Sequence, residues 1–260
     1  MSHPKIVQTV LNLVTPTTVE TPKLIYLGTA SYDKEESFAI QTDGYQSTCN
    51  VISLKVSEAM DSIPSTAEIQ ESLGSAHIIL VSGGNTLYAV NRWKELGIDV
   101  MIQRASKQGV VLCGGSAGAI CWFDEGHSDS LDPTTQLTVD ANLTEEQKRD
   151  WKYMRVKGLG YLPALCVPHH DATQSNGILR SVDSETMMTE SPELPCVGID
   201  EDAALVVKGD AVWVVSTNDA AKCYLKRCRS IEGKEFSIQA QAFDESHGSI
   251  LLSNLWEGTF

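Results

Sequence analysis

Three short stretches hold the residue types best suited to chemistry. Residues 110–119, VVLCGGSAGA, end an apolar run in two glycines and then present a lone hydroxyl, Ser116, among residues with almost no side chain. Residues 76–86, AHIILVSGGNT, end a second apolar run in Gly83 and Gly84, followed by Asn85 and Thr86. Residues 158–171, GLGYLPALCVPHHD, end a third in His169 and His170, directly after Pro168. Gly114, Gly115 and Gly118 give the first stretch the G-x-S-x-G form of a nucleophile elbow, a tight strand-to-helix turn that leaves the Ser116 hydroxyl exposed. A serine hydroxyl is a poor nucleophile near neutral pH and needs a base of histidine's pKa within hydrogen-bond reach. A carboxylate should orient that imidazole; Asp129 and Asp132, with Asp124 and Glu125 slightly earlier, are all available, and spacing leaves them open. The N–H of Ala117 and the backbone of the glycine pair would face negative charge developing on a substrate carbonyl oxygen, and Asn85 is placed to meet a substrate amide or carboxylate. Each stretch alone has a plainer use, since glycine-rich turns commonly just join strands to helices. It is their repetition at three strand ends that argues for a site.

The elements that would carry these residues alternate. Residues 23–31 read as a strand and turn, 50–57 as a second strand and 76–86 as a third; 87–109 has helical apolar spacing broken near Gly97, and 110–115 is a strand again. After Ser116 the AGAICWF segment reads as a helix start. A polar stretch follows that is too long for an ordinary connection, so an insertion is expected at about 133–156. The C-terminal third reads as antiparallel strands joined by a KGDA turn. The expected architecture is therefore α/β, one domain over residues 1–260, with a mostly parallel central sheet between helices in a three-layer sandwich. Ligands of such sheets sit beyond the carboxyl ends of the strands, where all three stretches fall.

Composition narrows the partners. The chain has 260 residues, enough for a sizeable core at 42% hydrophobic content, and a formal net charge of −14 with no run of Lys or Arg. That balance disfavours nucleic acid, which needs a basic stripe. No segment approaches the ~20 apolar residues of a membrane span, and residues 1–18 lack a cleavage signal. A soluble, cytoplasmic protein is expected. The seven cysteines are odd in number, scattered and set in apolar runs, which suits reduced core thiols, and none lies in a cluster with zinc-ligand spacing. No metal or organic cofactor is called for.

Taken in order, SGGNT, CGGSAGAICWF and GLGYLPALCVPHHD resemble the peptidase E family, the α-aspartyl dipeptidases, whose sheet is similar to that of class I glutamine amidotransferases, a flavodoxin-like arrangement. The resemblance spans about residues 76–205, and GIDEDAALVV also resembles the related cyanophycinases. It implies Ser116 as nucleophile, His169 as base because the family's histidine directly follows a proline, and Asp129 in HSDS as the family's aspartate. Gly84 and Ala117 would form the oxyanion hole. The family's aspartate-selecting dipeptidases carry an arginine-bearing helix after the histidine; here that region reads DATQSNGILRSVD and holds one arginine, Arg180. Arg180 with Asn85 and Thr86 is the expected acidic pocket, with His170 on the substrate side.

The resulting expectation is a cofactor-free serine exopeptidase acting on short peptides with an N-terminal aspartate, with a homodimer left open. A cyanophycinase-like hydrolase of β-aspartyl-linked substrates is the neighbouring alternative. A non-catalytic amidotransferase-like binding module is the alternative of another class, although a serine at the elbow, where such amidotransferases carry cysteine, argues against glutamine hydrolysis.

Overall fold

The computed structural model describes residues 1–15, 20–138, 142–231 and 235–257, the side chains of 230, 231 and 235 excepted. The packing divides into two compact units: Met1–Cys121 with Pro133–Asp140, and Trp122–Asp132 with Ala141–Phe260.

The first unit runs α1 (Pro4–Leu13), β1 (Lys23–Leu27), α2 (Glu35–Thr42), β2 (Asn50–Ser53), α3 (Thr66–Gly74), β3 (Ile78–Val81), α4 (Thr86–Leu96), α5 (Ile98–Lys107), β4 (Val111–Gly114) and a single helical turn, α6 (Ala117–Ile120). Its four strands form an all-parallel sheet in the order β2-β1-β3-β4. β1 and β3 are near-continuous buried apolar runs, as a parallel sheet covered on both faces requires. Alternate residues Leu24, Tyr26, Ile78 and Leu80 pack on Val7, Val10 and Val14 from α1 and the segment just after it. Local signals agree with these elements. Ser65 and Glu68 make a capping box on α3, Asn85 caps α4, and Gly97 takes a left-handed conformation that ends α4 and starts α5. The register Val81↔Gly114 brings the two glycine turns that follow β3 and β4 side by side.

The second unit holds β5 (Phe123–Ser128), β6 (Met154–Lys157), β7 (Leu162–Pro168), α7 (Arg180–Met188), β8 (Cys196–Ile199), β9 (Ala203–Lys208), β10 (Ala211–Ser216), β11 (Cys223–Ile231), β12 (Glu235–Phe243), β13 (Ile250–Leu251) and α8 (Leu252–Glu257). A six-stranded sheet has the order β12-β11-β8-β7-β5-β6, parallel across β8-β7-β5 and antiparallel at its margins. β9 and β10 form the expected hairpin, its turn at Gly209 and Asp210, within a three-stranded antiparallel sheet. The fold is α/β with parallel strands at the centre of its main sheets, as the sequence predicts.

Two segments differ from the sequence reading. Residues 123–128 form an interior strand, although they read as the start of a polar excursion. Two polar side chains of this strand are paired, Glu125 with Arg155 and His127 Nε2 with Asp183, which makes them tolerable between neighbours on both sides. The far end of that excursion is also anchored: Trp151 and Tyr153 are buried with Leu165, Val167, Met187, Met188 and Cys196. Among the described residues no helix is long and apolar enough to cross a membrane. All seven cysteines are free thiols.

Candidate active site

The sequence-predicted site residues fall in both units: Gly84, Asn85, Thr86, Ser116 and Ala117 in the first, Asp129, His169, His170 and Arg180 in the second.

In the first unit Ser116 connects β4 to α6 with φ +55° and ψ −118°, a conformation that non-glycine residues rarely adopt. Holding a serine there costs roughly 1–3 kcal/mol, strain of the kind that concentrates at functional turns. The surroundings impose it. A Cβ on Gly118 would stand 2.3 Å from the Val81 carbonyl oxygen, so the chain after Ser116 must pass close against the end of β3. The glycine pair lies next to the serine: a Cβ on Gly83 would be 3.4 Å from Ser116 Cβ. Gly84 has φ +128°, and a side chain there would meet the Ala30 carbonyl at 2.2 Å. Asn85 and Thr86 are buried; the Asn85 carboxamide oxygen accepts the Tyr88 N–H at 3.0 Å and its nitrogen reaches Thr135 Oγ1 at 3.5 Å. Both residues are thus built into the start of α4, where the substrate-pocket reading expected open side chains.

Cys113, on β4 just before the elbow, has its thiol pushed up to about 12 by burial. It stays protonated at neutral pH and is no rival nucleophile.

In the second unit β7 and β8 run parallel, and Pro168 pairs with Ile199 at their ends. His169 follows Pro168 with φ +51°. Its Nδ1 lies 3.0 Å from Glu201 Oε1, and both side chains are partly open, at 32% and 56% exposure. His170 is instead buried, with Nδ1 3.1 Å from Asp200 Oδ1. The expectation that His170 faces substrate is corrected here: the strand continues through the His170 N–H to the Ile199 carbonyl, which carries the ring inward.

The carboxylate on His169 is therefore Glu201, a residue the sequence reading did not single out. Asp129 is occupied elsewhere, its Oδ2 3.4 Å from Arg180 Nη1. Arg180, at the start of α7, is fully buried: Nη2 donates to the His127 carbonyl at 2.8 Å, and the guanidinium lies 5.1 Å from the Tyr153 ring centroid. A cation enclosed in this way cannot hold a substrate carboxylate, which corrects its expected place in an acidic pocket. Next to it His127 Nε2 is 2.8 Å from Asp183. Burial first, and the neighbouring Arg180 second, hold His127 down to about 4 against the pull of Asp183. The other candidate acids are also placed: Asp132 accepts the Ser175 hydroxyl at 3.1 Å, and Asp124 lies within β5. Among the described residues no group of three or more His, Cys, Asp or Glu side chains could hold a metal ion.

A half-buried serine at a strained strand-to-helix turn on a parallel α/β sheet is the architecture of a hydrolytic enzyme, and the comparisons specify the class. The model of Peptidase family S51 matches residues 2–215, and the chain belongs to that family. It is a peptidase. An uncharacterized peptidase of Bacillus subtilis, YgaJ, is 31% identical over 208 residues, covering 79% of this chain and 78% of that protein. Peptidase E of Citrobacter koseri is 25% identical over 162 residues, 61% of this chain and 64% of the relative. The crystal structure of a peptidase from an acI-B1 Actinobacterium shares the fold at a TM-score of 0.60 and 18% identity, covering 93% of each chain.

Proposed function

We propose that this peptidase is of the serine type and removes the first residue of short peptides, Asp-Xaa dipeptides among them. The observation that carries the reading is the Ser116 backbone, held at positive φ between β4 and α6. Ser116 Oγ attacks the scissile carbonyl carbon and passes its proton to His169 Nε2. Glu201 keeps the proton on His169 Nδ1 and stabilises the imidazolium that forms. The N–H groups of Gly84 and Ala117 take the charge of the tetrahedral oxyanion. His169 then gives its proton to the leaving amine, and water hydrolyses the acyl-enzyme by the same route. The preference for an N-terminal aspartate is supported by the family resemblance alone, and the enclosure of Arg180 means that other groups must receive that carboxylate. The seven free thiols support a reducing, cytoplasmic setting.

A liberated-amine assay on Asp-Xaa, Glu-Xaa, Asn-Xaa and Ala-Xaa dipeptides, run on the wild type and Ser116→Ala, tests the proposal. Turnover of Asp-Xaa that vanishes in Ser116→Ala supports it. Turnover unchanged by the substitution rules out the serine, and turnover confined to Ala-Xaa rules out the acidic substrate.

A further inference from the structure

We propose that the buried His170 and Asp200 pair is a positioning device that sets Glu201 on His169. The inference rests on the proposed roles of His169 and Glu201 and goes beyond them to the residues that hold that pair.

Two carboxylates follow β8 and two histidines follow β7, and they pair crosswise: His170 with Asp200, His169 with Glu201. Glu201 is 56% exposed, and a long exposed side chain does not hold one geometry by itself. The backbone that carries it is tied down on every side. Asp200 N–H donates to the Lys222 carbonyl at 3.0 Å, Asp200 Oδ2 accepts the Lys222 N–H at 3.1 Å, and Asp200 Oδ1 accepts from His170. The Glu201 N–H donates to Asp171 Oδ1 at 2.8 Å. His170 is the centre of this clamp. Its ring lies against Tyr224, centroids 4.5 Å apart, and on the other side a Cβ on Gly198 would stand 2.5 Å from its Cδ2.

The carboxylate of Asp200 can only accept, so His170 carries its proton on Nδ1. Its Nε2 is buried with no hydrogen-bond partner, so a second proton there would be an unsatisfied buried charge. Burial, with Lys226 next, lowers the pKa of His170, while Asp200 and Asp171 oppose them; Tyr224 is the other titratable group against the ring. At neutral pH the pair is therefore a fixed donor and acceptor, and its work is geometric. His170 touches no reacting atom in this scheme and is a positioning residue.

The test is ¹H–¹⁵N NMR of the imidazole rings in the full chain, for wild type, His170→Leu, His170→Asn and Glu201→Gln, beside kcat and KM for each. His170→Leu should move the His169 Nδ1–H proton resonance upfield as Glu201→Gln does, through loss of the hydrogen bond to the carboxylate, and lower kcat about tenfold or more, with KM within about threefold. His170→Asn, which keeps a side-chain donor near Nδ1, should restore most of both. Adding His170→Leu to Glu201→Gln should change little further. If His170→Leu proves unstable, Asp200→Asn makes the same comparison. A His169 Nδ1–H resonance that responds to Glu201→Gln but is unmoved in the folded His170 or Asp200 variants overturns the positioning role, whatever the activity. A His169 Nδ1–H resonance that responds to the clamp in a protein without Ser116-dependent hydrolysis leaves the clamp standing and overturns only the proposed function.

Discussion

His169 Nδ1 and Glu201 Oε1 lie 3.0 Å apart at the ends of two adjacent parallel strands, while Asp129 faces Arg180. The two acids should therefore respond differently to neutralisation. Glu201→Gln should lower kcat on the order of a hundredfold or more, the usual range for disabling general acid–base catalysis, with KM little changed. Asp129→Asn should act chiefly on stability. Steady-state kinetics together with thermal melting of both variants decide this, and the opposite ranking of kcat would return the orienting role to Asp129.

The strained serine predicts a separation of stability from activity. Ser116→Gly relieves the positive φ and should stabilise the first unit by about 1 kcal/mol, whereas Ser116→Ala keeps the strain and should be nearly neutral. Both should abolish hydrolysis, a loss on the order of a million-fold for a nucleophile acting within a triad. Denaturant unfolding is the check, and equal stabilities for the glycine and alanine variants would contradict the strain.

Arg180 should behave as a structural cation. Arg180→Ala leaves Asp129 unpaired and vacates a fully buried space, so a loss of about 3 kcal/mol or more is expected. Asp129→Ala in the same chain should recover part of it. A folded Arg180→Ala protein with normal stability and a raised KM confined to Asp-Xaa would restore the acidic-pocket role.

His127 predicts acid sensitivity. Its ordinary value of 6.5 applies to the unfolded chain and about 4 to the folded one. Between those values the unfolded chain binds a proton that the folded chain refuses, so stability falls as the pH drops from about 6.5 to about 4 and is unaffected above. The full loss is about 3 kcal/mol. His127→Gln cannot titrate and should show a smaller fall in unfolding free energy between pH 7 and 4.5. Equal falls in the two proteins would remove His127 as the cause.

Much of this was readable in the chain. The apolar runs of β1, β3, β4 and β7 announce a parallel sheet, and the glycines after β3 and β4 mark where backbone passes close to backbone. Gly97 marks the break between α4 and α5 without any structure. What sequence could not carry was pairing. Glu201 lies 32 residues from His169 and looks like any acid in GIDEDAAL; it becomes a partner only because β8 lies beside β7. The rule that site residues gather at the ends of neighbouring strands would have pointed to it. Arg180 misled for a related reason, since a lone arginine after the histidines looks like a ligand for carboxylates until Asp129, the His127 carbonyl and Tyr153 are seen around it. β5 was missed because the partners of Glu125 and His127, Arg155 and Asp183, lie far along the chain.

The central claim is that Ser116 is the nucleophile and His169 its base, and covalent trapping tests it most directly. The full chain should be treated with a serine-reactive peptidyl phosphonate, digested and analysed by mass spectrometry, alongside Ser116→Ala and His169→Ala. A single adduct on Ser116, absent from Ser116→Ala and formed at least a hundredfold more slowly in His169→Ala, is the predicted result. An adduct on another residue, or unchanged labelling without His169, would contradict it.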